Sequence, residues 1–300
     1  MANLREIRSR INGVRSTSKI TQAMKMVAAA KLRRAQDAIV AARPYAGNLN
    51  DLVRHLLARV DRTALPIMST REETDKVLVI IVTADRGLCG AFNTNIIRHA
   101  THRIHNTYAT QYEKGDVSLL CIGRRGFNHF GKRGYNVVGQ HIGLINDATH
   151  ADAASIMDGI IEQFLNHEFD VVEIIYNEFK SVIQQRVRDE QLLPLPAEDI
   201  EDAPDSAHHY LHLVDYIYEP SEVELMEYLI PKHLDFQLYR VFMESNAAEQ
   251  GARMTAMDAA TSNAKDLIHR LQLAYNRARQ SSITTEILEI VSGANALQGG

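Results

Sequence analysis

The stretch that most resembles a chemical site is a glycine-containing turn, D-R-G-L-C-G over residues 85–90, which follows the apolar run 77–82. Such turns between a strand and a helix can bind phosphate, because their backbone N–H groups can point at one ligand. The spacing matches neither G-x-G-x-x-G nor G-x-x-x-x-G-K-[ST]. We therefore interpret these glycines, and the weaker pair Gly123 and Gly126, as serving tight turns, with phosphate binding as the alternative.

Metal and thiol chemistry have few candidates. His208, His209 and His212 have a spacing that a metal site could use, but no H-E-x-x-H motif or cysteine pair accompanies them, which favours an exposed, titrating cluster. Cys89 and Cys121 lack paired spacing, which is typical of structural thiols in a reducing compartment. No nucleophile-elbow or kinase motif occurs. We predict no catalytic group, no metal and no cofactor.

Charge is distributed unevenly along the chain. Residues 1–43 carry ten Lys or Arg against two acids, whereas residues 198–227 carry ten Asp or Glu and no Lys or Arg. This polarity predicts docking to more than one surface. Nucleic-acid binding is an alternative for the basic segment, but interleaved aromatic residues are missing there, so a protein partner is favoured and nucleic acid is not. The phosphate contacts of that alternative would be Arg5, Arg8, Arg15, Lys19 and Arg33.

These candidates must be positioned by two long helices and the segment between them. Residues 234–297 contain no proline and, before Gly293, only Gly251 as an internal glycine, and apolar or small residues recur every three or four positions. Residues 3–60 follow the same spacing, with a kink expected at Pro44 and Gly47, and Pro231 is expected to interrupt the C-terminal helical region. The two helices predict an antiparallel coiled coil with a seam of alanine, serine and threonine.

Between the helices the pattern alternates between strands and helices. Strands are predicted at 77–82, 117–122, 135–140 and 171–176, an antiparallel edge at 184–187 and a last strand at 212–218. Helices are predicted at 94–112 and at 151–167, and a short helix that follows the turn at 123–126 is predicted to end at residue 130. The fold class is therefore α/β, a Rossmann-like domain inserted into an antiparallel coiled coil. We divide the chain into an N-terminal coiled-coil helix (1–62), an α/β domain (75–219) and a C-terminal coiled-coil helix (220–300).

Targeting signals are not evident. The chain has no run of 18 apolar residues, and its N-terminus lacks the apolar core of a signal peptide. We expect a chain that neither spans a membrane nor is exported, although its first, basic helix could lie on anionic lipid.

Three segments carry a resemblance to a known family. They are I-T-Q-A-M-K-M-V-A-A-A-K-L over residues 20–32, the turn at 85–90, and R-A-R-Q-S-S-I-T-T-E-I-L-E-I-V-S-G-A over 277–294. Residues 251–257 and 271–276 add to them. Together they closely resemble the gamma subunits of rotary ATP synthases along essentially the whole chain.

The resemblance implies a non-catalytic shaft that couples ion flow, taken to be proton flow, to ATP synthesis and regulates ATPase activity. Its partners would be the alpha and beta subunits, the epsilon subunit and the membrane c-ring, with one copy per complex. It would lie peripherally on the cytoplasmic face of a bacterial inner membrane. The alternative is an α/β nucleotide-binding enzyme with a coiled-coil oligomerisation arm.

The same resemblance assigns residue roles. In the family, beta-subunit loops grip the shaft at positions that match Arg279, Gln280 and Thr284, with Arg253 nearby. Arginine and glutamine can make directional hydrogen bonds to carboxylates. The residue that matches Met24 lies beside this contact and influences coupling efficiency. Helix packing is the alternative role for Met24 and Thr284.

Overall fold

The computed structural model describes residues 4–57, 65–68, 74–195, 218–219 and 221–298. Contacts divide the chain into two compact units. We call Met1–Ala28 with Met254–Gly300 the helix-pair unit, and Ala29–Arg253 the α/β unit. Helix α1 (Leu4–Leu57) and the last helix, α6 (Glu222–Gln298), each contribute to both units.

A five-stranded sheet forms the centre of the α/β unit. Its strands are β1 (Val77–Val82), β2 (Val117–Ile122), β3 (Asn136–His141), β4 (Val171–Phe179) and β5 (Gln185–Leu193). They lie in the order β3-β2-β1-β4-β5; the first four are parallel, and β5 pairs antiparallel with β4. Every residue of β1 and β2 is buried, which explains why all of them except Ser118 are apolar. The predicted mostly parallel sheet and its antiparallel edge are confirmed.

Short helices flank this sheet: α2 (Phe92–Asn106), α3 (Ala109–Lys114), α4 (Arg124–Phe130) and α5 (His150–Leu165), with a 3-10 turn at Gly131–Arg133. The single helix predicted at 94–112 is wrong, because the chain breaks after Asn106 into α2 and α3. At the break, the Tyr108 hydroxyl donates a hydrogen bond to Glu173 Oε2 at 2.6 Å. This contact with β4 holds the break in place.

Side chains alternate between two faces of the sheet, and each face has its own core. Leu78, Ile80 and Val82 pack in a cluster with residues of α5, α6 and the end of α1. Val79 and Ile81 pack on the other face with residues of α2. The strands thus form the middle layer between helices.

Helix α6 begins at Glu222 and continues past Pro231 without a break. Pro231 lies inside it and does not interrupt it, so the expected break there is wrong. A proline removes the hydrogen bond to the carbonyl four residues earlier and costs about 3 kcal/mol inside a helix. Met226, Ile230, Leu234 and Leu238 are fully buried around it, and their packing offsets this cost. Pro44 likewise lies inside α1.

The helix-pair unit joins the first part of α1 to the last part of α6. Thr21 Oγ1 and Thr261 Oγ1 lie 2.7 Å apart, and Lys25 Nζ donates to Asp258 Oδ1 at 2.6 Å. Because the α6 partner number falls as the α1 number rises, the two helices run antiparallel here. None of the described helices is both long and apolar enough to cross a membrane.

Candidate functional site

The turn after β1 is tied to the neighbouring turns by Asp85. Its Oδ1 accepts a hydrogen bond from the backbone N–H of Arg124, and its Oδ2 accepts one from that of Gly143, both at 3.0 Å. These partners follow β2 and β3, so one carboxylate joins the turns after three adjacent parallel strands. A carboxylate in this position serves the fold and would repel a phosphate.

The rest of the turn is internally bonded. Asn93 Oδ1 accepts from the N–H of Ala84 at 2.9 Å, and Asn93 Nδ2 lies 3.1 Å from Cys89 Sγ. Leu88 has a positive φ of 64°, which is uncommon for a residue other than glycine. Cys89 is buried, and burial raises the pKa of its thiol, which makes it unreactive.

The glycines of the two turns allow close backbone approach. The N–H of Gly126 donates to Thr83 Oγ1 at 2.8 Å. A Cβ atom at Gly123, where φ is 97°, would overlap the carbonyl oxygen of Thr83. These contacts use the glycines for packing the turns together.

The crevice where nucleotides bind in such folds is filled. In an open parallel sheet, ligands bind where the strand order reverses, here between β1 and β4. Ala248 of α6 is fully buried and belongs to the same cluster as Ala84, Cys89 and Phe92. A helix of the chain itself therefore occupies the site that a nucleotide would take.

Arg253 is held by the α/β unit. Its Nη1 lies 2.6 Å from Glu249 Oε1, and its Nη2 donates to the carbonyl of Gly87 at 3.4 Å. Only 12% of the Arg253 side chain and 3% of the Glu249 side chain are exposed. Burial raises the pKa of Glu249, while the charge of Arg253 acts in the opposite direction. Arg253 thus neutralises a buried carboxylate and anchors the turn after β1.

Met24 lies in the helix-pair unit, on α1 between the two contacts that join the helices. Its side chain is partly buried. One turn before it, Thr21 Oγ1 meets Thr261 Oγ1, which also donates to the carbonyl of Met257 at 2.7 Å. Met24 therefore stands beside two buried hydroxyls in the seam between the helices.

Arg279, Gln280 and Thr284 lie within two turns of α6, and all three are exposed. Thr284 Oγ1 donates to the carbonyl of Gln280 at 2.9 Å. The side chains of Arg279 and Gln280 make no hydrogen bond or ion pair to any residue that the structure describes. The structure brings these three residues together and leaves two of them available to a partner.

Sequence reasoning missed the surroundings of these residues. Every residue from 279 to 294 is exposed, on all sides of the helix. The run includes large apolar side chains, and Ile290 is 71% exposed. The apolar residues of this segment lie on one broad side of the helix, which is the pattern of a covered face, so no sequence signal predicted their exposure; they are Ile283, Ile287, Leu288, Ile290 and Val291.

Metal binding gains no support from the described part of the chain, which holds no group of three or more His, Cys, Asp or Glu residues arranged for a metal ion. His208, His209 and His212 lie outside the described residues, as do the acidic segment 198–205 and nearly all of the predicted strand at 212–218.

Comparisons with known proteins give one consistent result. A family model described as ATP synthase matches residues 3–297. The ATP synthase gamma chain of Chloroherpeton thalassium is 52% identical over 301 aligned positions and covers 99% of both chains. That of Chlorobaculum parvum is 50% identical over 299 positions, covering 99% of this chain and all of the relative.

Solved structures show the same fold. A chain of the Euglena gracilis mitochondrial ATP synthase (OSCP/F1/c-ring, rotational state 3) matches with a TM-score of 0.67 at 20% identity, covering 99% of this chain and 95% of that one. A chain of the Tetrahymena thermophila mitochondrial ATP synthase central stalk/c-ring matches with a TM-score of 0.60 at 24% identity, covering 80% and 99%.

Proposed function

The chain belongs to the ATP synthase gamma-chain family, and from this premise we propose that it is the central rotor shaft of the complex. It couples ion flow through the membrane ring, taken to be proton flow, to ATP synthesis in the alpha and beta hexamer, and it regulates ATPase activity there. One copy serves each complex.

The single observation that carries this proposal is the exposed end of α6. Apolar residues such as Ile283, Ile287 and Ile290 face water there along one side of the helix. Exposed apolar patches mark surfaces that a partner covers. Since residues 279–294 are exposed on all sides of the helix, a covering partner can surround it, and a ring of subunits has that shape.

Arg279, Gln280 and Thr284 are proposed as the residues that the beta subunits grip. The guanidinium of Arg279 and the amide of Gln280 can donate directional hydrogen bonds to carboxylates, whereas the surrounding apolar residues can only slide or pack. Met24 tunes the coupling from α1. Arg253 contributes to the beta-subunit contact only indirectly, because its side chain is bonded to Glu249 and to the carbonyl oxygen of Gly87.

The α/β domain, assigned to residues 75–219 between coiled-coil helices 1–62 and 220–300, is proposed as the foot of the shaft. It would bind the epsilon subunit and the membrane c-ring. The chain would then be a peripheral protein on the cytoplasmic face of a bacterial inner membrane. Nucleic acid has no part in this proposal.

The chain is proposed to be a non-catalytic subunit. An α/β nucleotide-binding enzyme is not favoured, because Ala248 of α6 packs into the crevice that a nucleotide would need. The carboxylate of Asp85 is also directed into the turns where phosphate would bind.

The test is ATP hydrolysis by purified alpha and beta subunits mixed with this chain or with an Arg279→Ala/Gln280→Ala variant. The native chain should assemble with the subunits and raise steady turnover. Steady turnover with the variant should be on the order of tenfold lower than with the native chain, because charge-assisted hydrogen bonds to the beta subunits are lost.

A matched control is Arg270→Ala/Gln272→Ala, which removes the same residue types from exposed positions of the same helix. This control should behave as the native chain does. If the native chain neither joins the hexamer nor changes turnover, the rotor assignment fails. If both variants lose activity equally, the assignment of the grip residues fails.

A further inference from the structure

We propose that Arg240 is a positioning residue that locks helix α6 to the β4–β5 hairpin, so that torque entering the α/β unit reaches the shaft without slip. The inference rests on the proposed rotor function. It concerns a residue that is not among the proposed beta-subunit contacts Arg279, Gln280 and Thr284.

Arg240 is bonded to two strands at once. Its Nη2 donates to Glu190 Oε2 on β5 at 2.6 Å, and its Nη1 donates to the Tyr176 hydroxyl on β4 at 3.1 Å. Tyr176 in turn donates to Glu190 Oε1 at 2.6 Å. Arg240 Nη1 also lies 3.2 Å from Glu244 Oε1, one turn along α6. The guanidinium therefore closes a ring of bonds between a helix and both strands of a hairpin.

The ring is largely shielded from water. About a third of the Arg240 side chain is exposed, and the side chains of Glu190 and Glu244 are 19% and 18% exposed. Burial raises the pKa of Glu244, against the lowering effect of the Arg240 charge. Arg240 is thus the cation that holds these acids in place from the side of α6.

Further charges surround this ring. Arg188 Nη1 lies 3.5 Å from Glu178 Oε1 and 3.7 Å from Glu190 Oε1. The Oε2 atoms of Glu178 and Glu244 are buried without a hydrogen-bond partner among the described residues. Glu178 also has Lys180 Nζ at 3.9 Å from its Oε2, so removing the Arg240 charge would mainly leave Glu244 without its cation and Glu190 with Arg188 alone, and the repelled hairpin would move away from the helix.

The neighbours of Arg240 on α6 cannot supply the same restraint. Leu238, Val241 and Phe242 are fully buried apolar side chains that pack in the core of the α/β unit. Apolar burial opposes separation but has no direction, so it does not by itself set one angle between the helix and the strands. A planar guanidinium with bonds to two strands fixes both position and angle.

A second network in the same unit provides a matched control. Arg103 on α2 lies 2.8 Å from Glu173 Oε1 on β4 and 3.4 Å from Asp189 Oδ2 on β5, and Tyr108 donates to Glu173. It has the same parts, one arginine, two acids and one tyrosine, and its arginine is equally exposed, at 33%. It joins α2, not α6, to the sheet.

The experiment uses the complete complex in sealed vesicles, with the native chain, Arg240→Met or Arg103→Met. ATP hydrolysis and ATP-driven acidification of the vesicles are measured together. We expect Arg240→Met to keep hydrolysis and to lower the ratio of pumping to hydrolysis by about twofold or more, and Arg103→Met to leave this ratio unchanged. An equal ratio for both variants would overturn the proposal, because Arg240 would then act only in stability.

Two milder variants keep the test decisive if Arg240→Met does not assemble. Arg240→Lys retains the charge but has a single ammonium that cannot hold both strands, and Glu190→Gln retains the size of the side chain. Both should lower the ratio, and native ratios in both would overturn the lock. Failure of the native chain itself to couple hydrolysis to pumping would instead reject the rotor function, which keeps the two proposals distinguishable.

Discussion

The two units of the molecule are stabilised in different ways. In the α/β unit, strand residues such as Ile80 and Leu119 are completely buried between helices. In the helix-pair unit, the buried apolar positions are few, and the seam includes the buried hydroxyls of Thr21 and Thr261. The sheet unit therefore carries its own core, whereas the helix pair buries little apolar area per turn.

This difference indicates that the two units depend on partners to different extents. A well-packed sheet unit can keep its structure under load, because close-packed interiors are hard to deform. A helix pair with few buried apolar residues and an exposed apolar end gains much of its order from whatever covers it. We infer that partners stabilise the helix-pair unit more than they stabilise the α/β unit.

The largest expected effect is the loss of stability when a buried side chain in the sheet is shortened. It should exceed the loss from the same change in the helix pair. Ile80→Ala on β1 should lower the free energy of unfolding of the isolated chain by about 4 kcal/mol, because a rigid core cannot close the cavity. Ile11→Ala on α1 should cost about 1 to 2 kcal/mol, because a helix pair can relax around the gap and alanine favours the helix. Denaturant unfolding measures both, and equal losses would remove the distinction between the units.

Arg253 and Arg279 provide the next comparison, between two arginines of one helix. Arg253→Met should lower stability by about 3 kcal/mol, because it leaves the carboxylate of Glu249 buried without its cation. Arg279→Met should change stability by less than about 0.5 kcal/mol, because its side chain is exposed. Thermal unfolding measures the stabilities. The double variant Arg253→Met/Glu249→Gln should recover part of the loss, and no recovery would contradict the pairing.

His233 should make the α/β unit sensitive to acid. Burial, and then the charge of Arg240, lower its pKa from 6.5 to about 4, and its Nε2 lies 2.8 Å from Gln237 Nε2, which fits a neutral imidazole accepting a bond. Its contribution to stability is present above the unfolded pKa and is lost as the pH falls from 6.5 towards 4.

Between pH 7 and pH 5 this histidine should reduce the free energy of unfolding by about 2 kcal/mol. His233→Gln, whose carbonyl can accept the same bond, should flatten that part of the stability profile. Hydrogen exchange at several pH values would locate the effect in the α/β unit, and an unchanged slope in the variant would rule out His233 as its source.

Local patterns predicted the parts of the fold that depend on local sequence. The limits of β1 and β2 follow from their apolar runs, because strands buried on both faces have few polar positions; Ser118 is the one polar residue in the two runs. The continuity of α6 through Pro231 and the break after Asn106 depend on distant contacts. Packing around Pro231 outweighs its intrinsic cost, and Tyr108 is held by Glu173, 65 residues away in sequence.

The residues of the candidate site also fall into those that local sequence predicts and those that depend on distant contacts. Arg279, Gln280 and Thr284 share one exposed stretch of helix, and their spacing in the sequence already implied this. The burial of Arg253 could not be predicted, because its contact with Gly87 spans 166 residues. The bonds of Arg240 to Tyr176 and Glu190 likewise join segments 64 and 50 residues apart.

The smallest effect concerns the polar seam of the helix pair. Thr21→Val should lower the free energy of unfolding by about 1 kcal/mol, because the buried hydroxyl of Thr261 loses one partner but keeps its bond to Met257. Thr21→Val/Thr261→Val should be nearly neutral or stabilising, since an apolar pair leaves no unmet hydroxyl. A double-mutant cycle in denaturant measures the coupling between the two positions.

Lys25→Met, which removes an ion pair with Asp258 on the same surface, is the control and should change stability by less than about 1 kcal/mol. If the double variant instead lost as much as the two single changes combined, the hydroxyls would be a source of stability, and the helix pair would not need the partners that its seam implies.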